Sequence, residues 1–309
     1  MDLINWFKRD LLRLSETVKK MKSTITTTLI LAILIGVLNV KAQTNPLLNQ
    51  YFNNTYLANP AMAGLAEGAD VALSFRSQWN NIPGAPVVQN LTSTYGWEKV
   101  GVGLTVNLDK AGLERQTRVL ATYAYHLSLN ETAKLHFGLS AGFMNQRIDI
   151  QDVIGNPGDN QLGTYNNDHR TYIDGDFGIG MTTQRVSVDF ALVNLKNYYK
   201  RENIRLVNTP GIYASAGYKI GLGESMFQPK VAYRSFSEIA DIVDVGGQLG
   251  LSNQQVLFTA MYHTSKSASF GVGLHYKKKY AINAGYNTQT GALSGNTAGS
   301  FEINLGIHW

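Results

Sequence analysis

Hydrophobic and polar residues alternate with a period of two along most of the chain. The clearest example is VGVGLTVNL, residues 100–108, where Val and Leu occupy one face and Gly, Thr and Asn the other. This period is the mark of β-strands whose two faces meet different surroundings. With the less regular runs included, the pattern predicts fourteen strands, near residues 70–79, 87–97, 99–108, 116–129, 133–147, 170–182, 185–193, 211–220, 226–236, 242–251, 254–263, 268–276, 279–286 and 299–309.

A soluble β-sandwich and a membrane β-barrel both alternate in this way, and the lengths of the joints between strands separate them. Joints after even-numbered strands are short, such as NET at 130–132. Joints after odd-numbered strands are mostly longer, such as DKAGLER at 109–115 and the stretch 148–169. Outer-membrane barrels have this arrangement of short periplasmic turns and longer outside loops. The sequence therefore predicts an all-β fold with a single transmembrane barrel over residues 70–309, with the sandwich as the alternative.

The end of the chain fits the same prediction. It alternates aromatic and aliphatic residues and finishes on Trp309. This ending resembles the assembly signal of bacterial outer-membrane barrels. In a barrel the last strand would pair with the first, so that no strand edge remains unpaired in lipid.

Residues 1–42 have the features of a secretory signal. From Met21 onward, a basic residue precedes an apolar run at 29–38, and Val40-Lys41-Ala42 has small or neutral residues where a signal peptidase cleaves. The apolar run is shorter than the roughly 20 residues that a transmembrane helix needs. We therefore interpret 1–42 as a signal peptide region, with Met21 as an alternative start, and we expect the mature protein in the outer membrane.

Charge and cysteine content exclude several classes of function. The chain carries +5, but residues 1–42 hold seven of its 27 Lys and Arg and only three of its 22 Asp and Glu. The remainder carries about +1, so a nucleic-acid partner has no basis in the composition. No Cys is present, which excludes disulfides and Cys-based zinc sites.

Few residues have the spacing that catalysis or cofactor binding requires. His126 and His136 could face each other across a short turn, but two His without a third ligand are an incomplete metal site. Alternate Gly residues in 101–104 and 178–183 lack the strand-turn-helix context of a nucleotide-binding motif, so we interpret them as small residues on a strand face. The sequence therefore predicts no enzyme activity, no catalytic residue, no metal and no cofactor.

Two polar stretches in predicted outside loops each have two interpretations. The acidic residues of 149–168, together with Asp174, form either a calcium site or a plain solvated loop. The stretch KNYYKREN, residues 196–203, is either a partner-binding tip or a few girdle aromatics beneath a charged loop.

Residues 43–69 precede the first predicted strand and lack the pattern of one. Pairing would be interrupted at Asn59-Pro60, because Pro has no amide donor and restricts the residue before it. The Tyr and Phe residues of this stretch make it too aromatic for a disordered tail. A barrel of fourteen strands is also wider than its wall side chains can fill. We therefore predict that 43–69 is a plug in the lumen or a docking strip on the periplasmic side.

Two stretches near the front resemble the PorP/SprF family of type IX secretion system membrane proteins from the Bacteroidetes. They are QYFNNTYLANPAMAG at 50–64 and FRSQWNNIPGAP at 75–86. The family pattern is Gln-Tyr-aromatic, Asn-Pro-Ala-x-Ala-Gly, then Arg-x-Gln-Trp and a Pro-Gly turn. The residues that match it are Gln50, Tyr51, Phe52, Asn59, Pro60, Ala61, Ala63, Gly64, Arg76, Gln78, Trp79, Pro83 and Gly84.

The resemblance implies a non-enzymatic outer-membrane barrel that helps to export cell-surface proteins, including gliding adhesins. The partners that it implies are the type IX translocon or its periplasmic ring and the secreted substrate proteins. A channel for small solutes is the alternative function, and a surface adhesin is a third. The candidate residues for plugging or partner binding are Gln50, Tyr51, Phe52, Asn59, Pro60, Gly64, Arg76 and Gln78. We expect the last two to line the lumen and to hydrogen-bond to backbone carbonyls of the N-terminal stretch.

Overall fold

The computed structural model describes residues 50–79, 83–148, 169–199, 211–235, 241–288 and 298–309. The predicted signal region, the acidic stretch 149–168 and the second half of KNYYKREN lie outside these residues. Within these ranges, no helix is long and apolar enough to cross a membrane.

The described residues form one closed antiparallel β-barrel. Because β8 and β9 are separated only by Lys219 and both pair with β10, they share one position, and the barrel has fourteen strand positions. The strands are β1 (Gly68–Ser77), β2 (Val87–Trp97), β3 (Val100–Ala111), β4 (Glu114–Ser128), β5 (Lys134–Ile148), β6 (His169–Thr182), β7 (Val186–Leu192), β8 (Ile212–Tyr218), β9 (Ile220–Leu222), β10 (Ser225–Ser235), β11 (Ile242–Leu251), β12 (Val256–His263), β13 (Ser267–Tyr276), β14 (Tyr280–Asn287) and β15 (Ser300–His308).

Closure is made by the first and last strands. β1 pairs with β2 on one side and with β15 on the other, in a register that places Asp70 opposite His308. The amide of Ala69 also donates to the carbonyl of Trp309 at 2.8 Å, and the amide of Trp309 donates back at 3.0 Å. The predicted fourteen-strand barrel is confirmed, and each predicted strand overlaps an observed one.

One predicted joint is wrong. The long loop expected at 109–115 is a turn of two residues, Gly112 and Leu113, because β3 continues to Ala111 and β4 begins at Glu114. Gly112 has φ +58°, which suits the tight turn. β4 has 15 residues, more than the roughly 9–11 that cross a bilayer. The sheet therefore extends beyond the membrane. The residues of this extension are polar, and the sequence predicted a loop there because of their polarity.

The two faces of the wall differ as the alternation predicts. On β15, Glu302 and Asn304 are buried in the lumen, whereas Phe301, Ile303 and Leu305 are exposed on the outside. An apolar exterior around a polar interior is the surface that a bilayer requires. The chain is therefore a membrane β-barrel.

The two ends of the barrel also differ. One end of the barrel contains the start of β1, the end of β15 and the joints after β2, β4 and β6, and we call it the turn end. We call the opposite end the loop end. Exposed aromatic side chains near the turn end match the girdle that such barrels place at a membrane interface. They are Tyr95, Trp97, Tyr125, Tyr218, Tyr276, Tyr280 and Trp309.

We predict that a charge on the exterior will destabilise the barrel according to its depth. Leu305, in the middle of β15, is 46% exposed, and Leu222, at the turn end, is 55% exposed. Leu305→Arg should cost about 2–4 kcal/mol of unfolding free energy, and Leu222→Arg about 0–1 kcal/mol. Urea titration in lipid vesicles, followed by heat-modifiable gel migration, measures both. Equal costs would contradict the placement of this face in lipid.

We also predict that Trp309 is needed for assembly. Its side chain is 60% exposed at the end of the closing strand, where an aromatic ring suits the membrane interface. Trp309→Asp should reduce the fraction of folded barrel, whereas Trp309→Phe should not. Heat-modifiable migration of membrane fractions provides the measurement, and normal folding of the Asp variant would refute the prediction.

Candidate functional site

The N-terminal residues 50–64 lie inside the barrel, and we call them the lumen segment. They form a short helix, α1 (Gln50–Asn53), and two turns of 3₁₀-helix at Thr55–Leu57 and Pro60–Met62. The side chain of Asn54 caps the first turn, and Oδ1 of Asn59 accepts from the amide of Ala61 at 2.9 Å to cap the second. Pro60 at the first position of its turn has the φ that a helix start requires. Asn and Pro therefore fold this segment locally into compact turns.

The lumen segment runs from the loop end, where it begins at Gln50, toward the turn end. Near the turn end, Nε2 of His126 donates to the carbonyl of Ala63 at 3.0 Å. Near the loop end, the side-chain Nε2 of Gln50 donates to Glu302, the third residue of β15, at 3.3 Å. The sequence left two placements open, a plug in the lumen and a docking strip on the periplasmic side. The observed contacts lie inside the lumen.

Glycines of the wall leave the space that the lumen segment occupies. A Cβ atom on Gly178 would overlap Oδ1 of Asn59, and one on Gly138 would overlap the backbone at Pro60. A Cβ on Gly103 would approach the hydroxyl of Tyr56 to 2.5 Å. The alternate glycines that the sequence showed only as small residues are thus positions where the segment approaches the wall closely. The wall glycines with this relation are Gly96, Gly101, Gly103, Gly138, Gly178 and Gly180.

Gln50 is held at the loop end by a buried ion pair. Arg76 and Glu302 are opposite each other on β1 and β15, and Nε of Arg76 donates to Glu302 at 2.8 Å. The same carboxylate accepts from Gln50, whose amide also donates to Asn304. Arg76 is buried in the lumen and reaches the segment through Glu302. Gln78 is buried as well, but its amide nitrogen has no hydrogen-bond partner among the described residues.

Tyr51 is the most deeply anchored residue of the segment. Its hydroxyl donates to Oδ2 of Asp244 at 2.6 Å, and Nε of Arg234 donates to the same oxygen at 2.7 Å. All three residues are at most 1% exposed. The carbonyl of Tyr51 accepts from Nζ of Lys230 at 2.7 Å. A basic side chain therefore does hold a backbone carbonyl of the segment, but it is Lys230, which the sequence did not indicate.

Asp244, His263 and Ser269 are joined in the order of a Ser-His-Asp triad. Nδ1 of His263 donates to Asp244 at 2.6 Å, and the hydroxyl of Ser269 lies 2.6 Å from Nε2. However, Asp244 is already paired with Arg234, and Ser269 is 2% exposed with its hydroxyl 2.9 Å from Asn287. A nucleophile needs open space beside it for the substrate. These side chains therefore form a buried structural network.

The middle of the lumen segment is bound to strands on several sides of the barrel. Asn54 donates to Thr92 of β2 at 2.9 Å, and the hydroxyl of Tyr56 lies 2.7 Å from that of Thr122 of β4. Asn59 donates to the carbonyl of Ile179 of β6 at 3.1 Å and, more weakly, to Asp189 of β7 at 3.3 Å. Tyr56 also packs with Ala61, Met62 and Ala63 in one apolar cluster. The predicted residues Asn59, Pro60 and Gly64 are all buried at this level or nearer the turn end.

His126 and His136 face each other, as their spacing predicted. They are opposite in the register of β4 and β5, and their Nδ1 atoms are 2.8 Å apart. Because the carbonyl of Ala63 can only accept, Nε2 of His126 carries a hydrogen, and its Nδ1 accepts from His136 when the rings are neutral. Within the described ranges, no group of three or more His, Cys, Asp and Glu side chains could hold a metal ion.

A second ion cluster lies between β4 and β6. Arg118 donates to Asp174 at 2.7 Å and to Asp176 at 2.7 Å. The assignment of Asp174 to an acidic outside loop is therefore wrong, because β6 begins at His169 and turns this carboxylate into the lumen. The backbone amides of Asn194 and Lys196 also donate to these two carboxylates. These bonds direct the chain after β7 inward before the short helix α2 (Lys196–Tyr199).

Two cavities lie on opposite sides of the lumen segment. The turn-side cavity has a volume of about 480 Å³, and its lining includes Asn53, Thr55 and Lys278. The loop-side cavity has about 170 Å³, and its lining includes Pro60 and Arg118. Their linings in the described part of the chain share one residue, Tyr56. The lumen segment therefore separates the two spaces.

Several solved membrane proteins have a similar fold. The CymD monoaromatic hydrocarbon channel aligns with a TM-score of 0.52 at 11% identity, over 86% of this chain and 95% of that one. The outer membrane protein Omp33 of Acinetobacter baumannii (TM-score 0.48, 9% identity, 80% and 100% covered) and the toluene transporter TbuX of Ralstonia pickettii (0.48, 12%, 82% and 93%) are more distant in fold. At such low identity the similarity to CymD shows the fold alone. No curated protein matches the chain at a significant level.

The family comparison covers far more of the chain than the stretches 50–64 and 75–86. The sequence model of the type IX secretion system membrane protein PorP/SprF matches residues 40–307. The match thus includes the lumen segment, the strands that bind it and nearly all of the closing strand β15. The chain therefore belongs to the PorP/SprF family of type IX secretion system membrane proteins.

Proposed function

We propose that this protein is an outer-membrane barrel that supports type IX secretion by binding partner proteins, and that its lumen is closed to solutes. The observation that carries the proposal is the lumen segment, which crosses the interior and separates the turn-side from the loop-side cavity. A pore for diffusion needs a continuous water-filled passage. A barrel closed in this way presents its two ends, and not its lumen, to other molecules.

The contacts of the lumen segment support a stable closure. Tyr51 binds a carboxylate that is itself paired with Arg234, and Gln50 binds one that is paired with Arg76. Removing one partner of a buried ion pair costs about 3–5 kcal/mol, because the other charge is left uncompensated. The segment is therefore coupled to the carboxylates of Asp244 and Glu302 and to the arginines paired with them. Displacement of the segment would remove the hydrogen bond from Tyr51 to Asp244.

The orientation follows from the ends of the barrel. Outer-membrane barrels place short turns in the periplasm and longer loops outside. The turn end would then meet the periplasmic ring of the secretion machinery, and the loop end would meet the translocon or the secreted proteins at the cell surface. Gliding adhesins are the class of exported protein that this proposal assigns to it, and the outer membrane is the location that it requires.

A solute channel is the alternative function. The two cavities favour it, because they leave unfilled space inside the barrel on both sides of the segment. If the segment moved aside, a passage would open between them. The two functions therefore differ in one measurable property, the conductance of the intact protein.

We predict that replacing one wall glycine with a larger residue opens the lumen. In Gly178→Val the new side chain overlaps Asn59 and displaces the lumen segment, with a loss of about 1–3 kcal/mol in unfolding free energy from overpacking. Gly221→Val is the matched control, because a Cβ on Gly221 has no atom within 4 Å. In planar bilayers, the intact protein and the control should show no steady current, and Gly178→Val should conduct. A steady current from the intact protein would support the solute channel.

We further predict that the lumen segment is required for secretion and not for assembly. Deletion of residues 50–64 leaves all fifteen strand segments intact, because β1 begins at Gly68. The deleted protein should migrate as a folded barrel, and export of its cognate surface protein should fall to the level of a strain without the gene. Wild-type secretion by a folded deletion variant would contradict the proposed role of the segment.

A further inference from the structure

The turn-side cavity has the size and position of a binding site. Its volume of about 480 Å³ lies within the roughly 300–1,000 Å³ of sites that hold ligands. The loop-side cavity, at about 170 Å³, lies below that range. The turn-side cavity is bounded by the turn between β13 and β14 and by the ends of β1 and β15, so a ligand would enter it from the turn end.

The charges that line the turn-side cavity are mainly basic. Lys278 and Lys279 lie in the turn after β13 and are exposed. Among the described residues, the lining has one carboxylate, that of Asp70, which accepts from Nδ1 of His308 at 2.9 Å. Concave surfaces with one sign of charge attract ligands of the opposite sign. The mouth of the cavity is therefore complementary to an anionic group.

The rest of the lining suits a peptide more than a small inorganic anion. Thr94 provides a hydroxyl group that can bind peptide backbone. The hydroxyl of Thr92 accepts from Asn54 and can still donate, and the side-chain nitrogen of Asn53 can donate while its oxygen accepts from Gln248. Met62 and Leu65 provide apolar surface, and Leu65 is 42% exposed at the mouth. An anion of phosphate size would leave both of these parts unused.

The floor and one side of the turn-side cavity belong to the lumen segment itself. Residues 53–56 form the floor, and Met62 lines the side near the point where the chain leaves the lumen toward β1. A ligand in this cavity would therefore touch the lumen segment directly, and the wall strands would position the two against each other.

From these observations we infer that the turn-side cavity binds an acidic peptide segment of a periplasmic partner protein. The acidic side chains meet Lys278 and Lys279, the peptide backbone meets the Thr and Asn side chains, and an apolar residue covers Leu65. The inference rests on the proposed function for its orientation, which places the turn end in the periplasm. It adds the site and the chemistry through which the partner reaches the lumen segment.

Binding of a fluorescein-labelled oligoglutamate peptide to the purified barrel in lipid nanodiscs tests the inference. Fluorescence anisotropy should show saturable binding that weakens as salt is raised. The double variant Lys278→Glu, Lys279→Glu should bind at least about tenfold more weakly, because both charges at the mouth are reversed. Lys277→Glu is the matched control, since Lys277 lies in the same turn and does not line the cavity. An equal loss in both proteins would overturn the inference.

A labelling experiment locates the bound peptide. Because the chain has no Cys, Thr55→Cys places one thiol on the floor of the cavity, and Leu113→Cys places one at the loop end as a control. The peptide should slow maleimide labelling of the first thiol severalfold and leave the second unchanged. Binding without protection of Thr55→Cys would place the peptide elsewhere and overturn the inference.

The outcomes separate this inference from the proposed function. If the peptide does not bind, while the intact protein remains non-conducting and the deletion of 50–64 still abolishes secretion, only the cavity assignment is wrong. If the intact protein conducts steadily and its secretion does not depend on the lumen segment, the proposed function fails, whatever the peptide does.

Discussion

The structure depends on one constraint, that backbone amides and carbonyls in lipid must all be paired within the protein. The sheet meets it by closing on itself, with β1 bonded to β15 along eight residue pairs from Asp70 to Ser77. Closure at fourteen strand positions creates an interior that wall side chains do not fill. Every other feature of the lumen follows from how that space is occupied.

The wall and the lumen segment are complementary in shape and in charge. Glycines on β2, β3, β5 and β6 let the segment approach the wall backbone, which a side chain at any of them would prevent. Opposite them, the carboxylates of Asp244 and Glu302 accept hydrogen bonds from Tyr51 and Gln50 while paired with arginines. A charge inside the barrel costs far less than one in lipid, so the interior can hold these pairs. The buried charges are thus used to hold a piece of the same chain.

The lumen segment has a cavity on each side, and the two cavities differ in size and lining. The turn-side cavity is large, basic at its mouth and floored by the segment, whereas the loop-side cavity is smaller and lined by Arg118 and other polar side chains. A molecule that binds in either cavity would contact residues of the lumen segment, because the segment lines both cavities. Under the proposed function, the lumen segment is the element that a partner at either end of the barrel would contact.

Local pattern was enough to predict the strands, their two faces and the membrane barrel, because alternation depends only on neighbouring residues. It also identified the segment at 50–64 and the family that this segment resembles. The partners of the segment depended on tertiary structure. Asp244 is 193 residues from Tyr51 and Glu302 is 252 residues from Gln50. Only closure and strand register bring such distant residues to the same level of the lumen, and nothing in the sequence near Gly178 shows that Asn59 will occupy the space beside it.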